Sequence, residues 1–260
     1  MKVLPVDLGW SLKLNSSSGV WAMVINSLFN ALSGLRTSTR KLQTSANNLA
    51  NLQTPGFKKS RVEIGDVASG GTRVSSISRN SSAGSLISTS NPLDLAINGS
   101  GFFQVSLSNG GTGFTRAGNF KTDSAGQLTT VGGNPLVPPV TIPAGATAIS
   151  IDSGGQVTAI VGGSSVAVGQ IELAQFNNPG GLSAQGGNLF IASSASGSPI
   201  TGVPGSGSFG RVANGALESS NVNIVDEIVV QIVAKASFKA NASVIRTAND
   251  LIGTLLDLKS

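Results

Sequence analysis

Side chains able to do acid–base or nucleophilic chemistry are few in this chain, and their spacing gives them little to work with. The 260 residues include no Cys and no His. That removes thiol nucleophiles, the usual zinc ligand sets and the commonest general base. The many serines have no histidine partner, so a Ser-His-Asp triad is impossible, and no short signature points to a Ser-Lys pair. Asp123 and Asp152 open two matching segments, Asp123-Ser124-Ala125-Gly126-Gln127-Leu128-Thr129 and Asp152-Ser153-Gly154-Gly155-Gln156-Val157-Thr158. Each segment offers one carboxylate, too few for a calcium loop. An opening aspartate followed by a glycine at positive φ instead makes a hairpin turn. Gly205, Gly207 and Gly210 in "GSGSFG" satisfy G-x-G-x-x-G, but Val203-Pro204 precedes them and "RVANGALESS" follows. A dinucleotide site needs a buried strand before that motif and an apolar helix after it, so this one is read as a loop. No catalytic, cofactor-binding or metal-ligating residue is assigned, and the chain is read as a non-enzyme.

The composition suits short strands joined by tight turns. Hydrophobic residues make up 40%, only 11% are charged, and there are 34 glycines, which together predict a β-rich body. Seventeen Lys and Arg against twelve Asp and Glu give a net charge of +5. The basic residues are dispersed apart from Lys58, Lys59 and Arg61, which argues against a nucleic-acid face. No uninterrupted apolar run reaches the ~18 residues of a membrane span, so no membrane insertion is expected. At the N-terminus, Pro5, Asp7, Lys13 and Ser16-Ser17-Ser18 break up what would be the apolar stretch of a signal peptide. That leaves the signal-peptide reading weak, and the preferred second reading starts translation at Met23, where the helical pattern begins, with residues 1–22 as an untranslated extension.

Two long helices must frame the β body. Leu28, Leu35, Leu42 and Leu49 recur every seven residues, with Leu32, Thr39 and Ala46 in the alternate slots, a seam made for other helices. From about Met23 to Leu52 such a helix spans about 45 Å. It ends in an unusual stretch, "TSANNLANLQTPGFKKSR", whose Asn47, Asn48 and Asn51 are poor helix formers and whose Thr54-Pro55-Gly56 turns the chain away. At the other end, Ser220, Asn221 and Asn223 are candidate N-caps, and Asp226 and Glu227 suit the helix dipole. Phe238, Ile245 and Ile252 form the second seam, with Ala234, Ala248 and Leu255 as companions. Either intramolecular or intermolecular pairing satisfies both seams.

Between the helices, residues 57–90 read as a Ser/Gly-rich linker or partly ordered arm. Short β runs fill the segment from Asn91 to about Gly215. Phe102 and Phe103 lie on one of them, and strand alternation puts one ring in the core and leaves the other equally open to the core or to a partner surface. The fold class is mainly β with two long terminal α-helices pairing as a coiled coil around a central all-β domain. The expected divisions are 23–56 for the first assembly helix, 57–90 for the arm, 91–216 for the β domain and 217–260 for the second helix.

These segments together resemble the bacterial flagellar rod and hook axial proteins, over nearly all of Met23 to Leu258. "SANNLANLQTPGFKKSR" is similar to the family's signature after its N-terminal helix, and "NPLDLAINGSGFFQV" to the opening of its β domain. "GNFKTDSAGQLTTVGGNPL", "VGQIELAQFNNPGGLSAQGGNLF" and the long segment from "GALESSNVNIVDEIVV" to "TANDLIGTLLDL" follow in the family's order. The resemblance marks Asn47, Asn48, Asn51, Thr54, Gly56, Phe57, Gly101, Phe102, Phe103, Asn221 and Asn241 as assembly-motif residues. It implies export through the flagellar type III apparatus without a cleaved signal peptide. It also implies helical polymerisation with copies of itself and with neighbouring rod or hook proteins, and transmission of motor torque in the periplasm-spanning rod. Terminal helices would form the inner tube and the β domain an outer layer, with no cofactor. The β-domain pattern is most similar to the distal rod members, although residues 62–90 lack the longer acidic and aromatic segment expected after the GFK motif. The competing expectation, from a different class, is a secreted β-domain adhesin or other extracellular interaction protein.

Overall fold

The computed structural model describes residues 11–257. The question of a start at Met1 or Met23 turns partly on residues 1–10, which lie outside the described residues, as does the Leu255 side chain. Helix α1 runs Ser11–Ala50 and helix α2 runs Ile224–Asp257, so α1 begins before the expected Met23. In chain order the strands between them are β1 Ser60–Asp66, β2 Thr72–Arg79, β3 Leu86–Ser88, β4 Leu95–Asn98, β5 Phe102–Ser106 and β6 Thr112–Thr115. There follow β7 Lys121–Thr122, β8 Leu128–Thr129, β9 Ala146–Ile151, β10 Gln156–Val161, β11 Ser164–Gln170 and β12 Leu173–Gln175. The last are β13 Ser183–Gly186, β14 Leu189–Ile191, β15 Ile200–Gly202, β16 Arg211–Asn214 and β17 Ala216–Glu218. The mainly β reading with two terminal helices holds.

The chain divides into two units. One contains α1 up to Asn47, residues Ser60–Ser78, and α2 from Val225. Here α1 and α2 pack together. The Ser45 hydroxyl donates to the Glu227 carbonyl at 3.1 Å. A Cβ added at Gly34 would come within 2.6 Å of the Asn241 amide. Position 45 therefore meets 227 while 34 meets 241, an antiparallel arrangement. Residues 57–90, expected as a linker or arm, are built largely as strands. Val62, Ile64, Val74 and Ile77 supply the β-formers, and β1 and β2 pair through a turn in which Val67 donates to Gly71. The turn is tied to α1: the Thr72 amide donates to Ser33 Oγ at 3.0 Å, and the Thr37 and Thr72 hydroxyls are hydrogen-bonded.

The other unit comprises Asn48–Lys59 and Arg79–Ile224. Its centre is a six-stranded sheet in the order β13-β14-β6-β5-β12-β15, accompanied by a three-stranded sheet β11-β10-β9. Both faces of β5 are covered. Phe103 joins Leu95, Ile97, Val105, Leu128 and Leu173 on one side. Phe102 joins Phe114, Phe176, Leu182 and Phe190 on the other. The partner-facing alternative for the second ring is therefore corrected in favour of the core: Phe102 is 7% exposed and Phe103 0%. Alternation on a strand separates two faces, but it does not say that either face is wet. Edge-to-face stacking of Phe102 on Phe176 and of Phe103 on Phe120 fills the two cores.

The repeated aspartate segments are hairpin turns. Asp123 Oδ1 accepts from the Ala125 and Gln127 amides, and Asp152 Oδ1 from the Gln156 amide. Gly126 and Gly155 take φ of +79° and +81°, which glycine alone adopts without cost. Each of those glycine carbonyls accepts from a later isoleucine amide, Ile142 in the first case and Ile171 in the second. The two segments are thus a structural repeat. The "GSGSFG" segment is a loop in which the Gly210 amide donates to the Ser100 carbonyl.

Candidate assembly site

Polar and small residues line the contact between the two helices. Among the described residues, the buried side chains on α1 are Val24, Ala31, Thr37, Ser38, Ser45 and Asn48, and on α2 Glu227, Ala234 and Ala248. Val24, Ala31, Ser38 and Ser45 are seven apart, as are Glu227, Ala234, half-buried Asn241 and Ala248. The expected leucines Leu28, Leu35, Leu42 and Leu49 flank this line and are only half-buried. The alternate slots fall to Ala31, Ser38 and Ser45, whereas Leu32, Thr39 and Ala46 are exposed. In α2, Ile245 and Ile252 are half-buried and Phe238 is exposed. Small side chains at the centre let the backbones approach closely, as the Gly34–Asn241 contact illustrates, and the large apolar residues are displaced outward.

What is displaced outward is extensive. Val225 is 64% exposed, Ile232 62% and Phe29 65%, and Met23, Val229, Val233 and Leu251 are each at least half exposed. The Ile224–Thr254 segment is long and apolar enough to cross a membrane by length and composition, and 6% of its most apolar window is buried. Val225, Val229, Ile232 and Val233 recur at helical spacing on α2, and a large exposed apolar face of this kind marks an interaction site.

The asparagine-rich end of α1 passes into a second feature, a buried charge cluster in the β-rich unit. After Ala50 the chain descends through short turns, with Asn51, Leu52, Thr54 and Phe57 amides each donating three residues back. Asn51 Oδ1 accepts from the Thr54 hydroxyl at 3.1 Å. Pro55 keeps Thr54 out of the helical region. Gly56 takes φ +68°, and an added Cβ would stand 2.4 Å from the Arg116 carbonyl carbon. Asn48 is 1% exposed, and Asn47, Asn48 and Asn51 all have interaction partners.

Lys58 follows at once. Its ammonium pairs with Glu218 and donates to the Ser82 carbonyl at 2.7 Å. Arg116 Nη1 meets the other Glu218 oxygen at 3.2 Å and donates to the Ile97 carbonyl, while Nη2 donates to the Gly99 carbonyl at 2.8 Å. The guanidinium also lies 5.3 Å from the Phe102 ring centroid. Glu218 further accepts from the Gly84 amide on its side chain and the Gly56 amide on its carbonyl. Burial pushes the Lys58 and Arg116 pKa values down, and Glu218 opposes the shift in both. Beside this cluster, Asn221 Oδ1 accepts from the Lys59 amide at 2.7 Å, and Nδ2 donates to the Asn80 and Ser82 carbonyls at 2.9 Å. Gly101 takes φ +134°, with Leu173 packed where a side chain would go.

Of the residues singled out in the sequence, Gly56, Phe57 and Asn221 converge here, since the Asn221 amide also donates to the Phe57 carbonyl. Phe102 touches the cluster through Arg116, whereas Asn241 belongs to the helix contact. Arg116 and Glu218 were missed. Their only sequence signal is an isolated charge within otherwise neutral segments, "FTRAGNF" and "GALESS".

The arrangement holds a scaffold and an exposed apolar surface, and known proteins match it along its length. The family described as flagellar hook protein FlgE/F/G D1 domain matches residues 96–159. Flagella basal body rod protein matches residues 28–58, and flagellar basal body rod FlgEFG protein C-terminal matches 213–258. The chain is 36% identical to the flagellar basal-body rod protein FlgG of Caulobacter vibrioides, over 91% of its own length and 100% of that protein. It is 36% identical to FlgG of Bacillus subtilis over the same shares. It is also 46% identical to the flagellar hook protein FlgE of Salmonella typhimurium, over 35% of this chain and 23% of that one. Each of the three family matches falls on one of the segments built above: α1 with its turn, the β core, and β16 through α2. The chain belongs to the flagellar basal-body rod proteins, alongside FlgG within the wider rod and hook family.

Proposed function

We propose that this chain is a rod subunit of the flagellar basal body that polymerises helically through the outward faces of α1 and α2. Its partners are copies of itself and the neighbouring rod or hook axial proteins, at the distal rod position. It reaches them unfolded through the flagellar type III apparatus, without a cleaved signal peptide, and passes motor torque along the rod by packing alone. The carrying observation is the exposed apolar surface of α2, including Val225, Ile228, Val229, Ile232 and Val233. Burying such a side chain is worth about 1.5–3 kcal/mol, so a patch this size supports a stable contact with a neighbour. An open, head-to-tail contact of this kind extends into a filament.

The same helix meets the length and hydropathy of a membrane span, but its charges argue for a protein partner. Asp226, Glu227, Lys235, Lys239, Arg246 and Asp250 all lie within Ile224–Thr254. A charged side chain near the centre of a spanning helix costs about 2.5–3.5 kcal/mol, and these are distributed along the segment. The paired seven-residue spacing supports a coiled-coil-like contact inside the subunit and leaves the larger residues for the polymer. The test is to place aspartates at Val229 and Ile232 in the full chain. Parent chain should sediment as polymer or enter rods; the variant should stay monomeric with an unchanged circular dichroism spectrum. A variant that still polymerised would remove the α2 face from the mechanism.

A further inference from the structure

The β-rich unit is a discontinuous piece of chain, taking Asn48–Lys59 and then Arg79–Ile224. Its cut ends gather in one polar mesh. Lys58 and Lys59 stand just before the first departure, Asn80 and Ser82 just after the return, and Glu218 and Asn221 just before the last. The Asn80 amide donates to the Lys59 carbonyl at 3.0 Å, and Asn221 bridges Lys59 to Asn80 and Ser82. Glu218 receives Lys58 and Arg116 on its carboxylate and Gly56 on its carbonyl.

This mesh is a poor way to gain stability. Two buried cations share one buried anion, and apolar replacements of buried ion clusters are often neutral or stabilising. Its strength is directional: charge-assisted bonds fix distance and angle where apolar packing tolerates slippage.

We propose that Lys58 and Glu218 are positioning residues, whose bridge sets the spacing at which the chain enters and leaves the β-rich unit, and that the rod requires this spacing to assemble. The proposal rests on the rod reading above. Lys58→Met is the informative variant, because it removes the bridge yet leaves Glu218 paired one-to-one with Arg116. Asn221 still donates to the Ser82 carbonyl that Lys58 gives up.

The experiment expresses full-length parent and Lys58→Met chains in cells lacking their own copy of this subunit. It reads the thermal midpoint of each purified chain and its abundance in purified hook–basal bodies. The expected result is a thermal midpoint at or above the parent's together with at least a tenfold loss of incorporation. Normal incorporation would overturn the proposal. So would a clear drop in thermal midpoint, since the bridge would then serve folding. Absence of the parent chain from the basal bodies would instead overturn the rod reading itself.

Discussion

Glu218 is shared by Lys58 and Arg116, and that ratio sets what each substitution costs. Glu218→Gln leaves two buried cations without a counter-charge, which should cost about 3–5 kcal/mol. Lys58→Met leaves a balanced pair and should stay within about 1 kcal/mol of the parent. Urea unfolding of the three chains separates these outcomes. Stability should also depend on pH through Lys58, whose pKa burial lowers from 10.5. The unfolded chain then holds this proton to higher pH than the folded chain. The Lys58 contribution therefore rises as pH climbs through the folded value toward 10.5. Parent urea midpoints should gain relative to Lys58→Met across that window, and a constant difference would contradict the assignment. Gly56→Ala places a methyl against the Arg116 backbone at φ +68° and should cost more than about 1 kcal/mol. At this scale Gly56 was legible in the sequence as a turn residue, whereas Asn221 was read as a cap candidate and instead bridges Lys59, Asn80 and Ser82, and Phe57 was marked only by the family resemblance. Glu218 and Arg116 were not legible, because an ion pair across 102 positions leaves no local periodicity.

At the level of elements, the two faces of α2 should respond differently to substitution. Ala234 is 1% exposed against α1, so Ala234→Leu overpacks the helix contact and should cost about 1–3 kcal/mol. Ile232 is exposed, and Ile232→Asp should change stability by less than about 0.5 kcal/mol while weakening polymerisation. Thermal unfolding paired with sedimentation measures both. The helices were legible because a seven-residue repeat persists over many turns. The fully buried line was harder to see, since it runs through Ala31, Ser38 and Ser45 beside the more conspicuous leucines. A pattern read from hydrophobicity favours the leucines, but backbone approach favours the small residues. The β1–β2 pair was obscured for a related reason: its serines and glycines have linker composition, and its order comes partly from hydrogen bonds to Ser33 and Thr37 on α1.

At the level of the whole molecule, the chain combines a unit with one mainly aliphatic and one aromatic-rich core and a helix pair many of whose large apolar residues are exposed. That contrast leaves exposed apolar side chains on the helix pair for the proposed rod assembly to bury. The repeated turns at Asp123 and Asp152 were legible because each is complete in a few residues. The double burial of Phe102 and Phe103 was not, because it depends on strands distant in sequence covering both faces of β5. The most direct measurement is quantitative mass spectrometry of hook–basal bodies purified from cells whose only copy of this subunit is the parent chain or Val229→Asp/Ile232→Asp. The parent chain should be a stoichiometric component, and the variant should be made and folded but missing from the particles. Particles lacking the parent chain, or containing both chains equally, would contradict it.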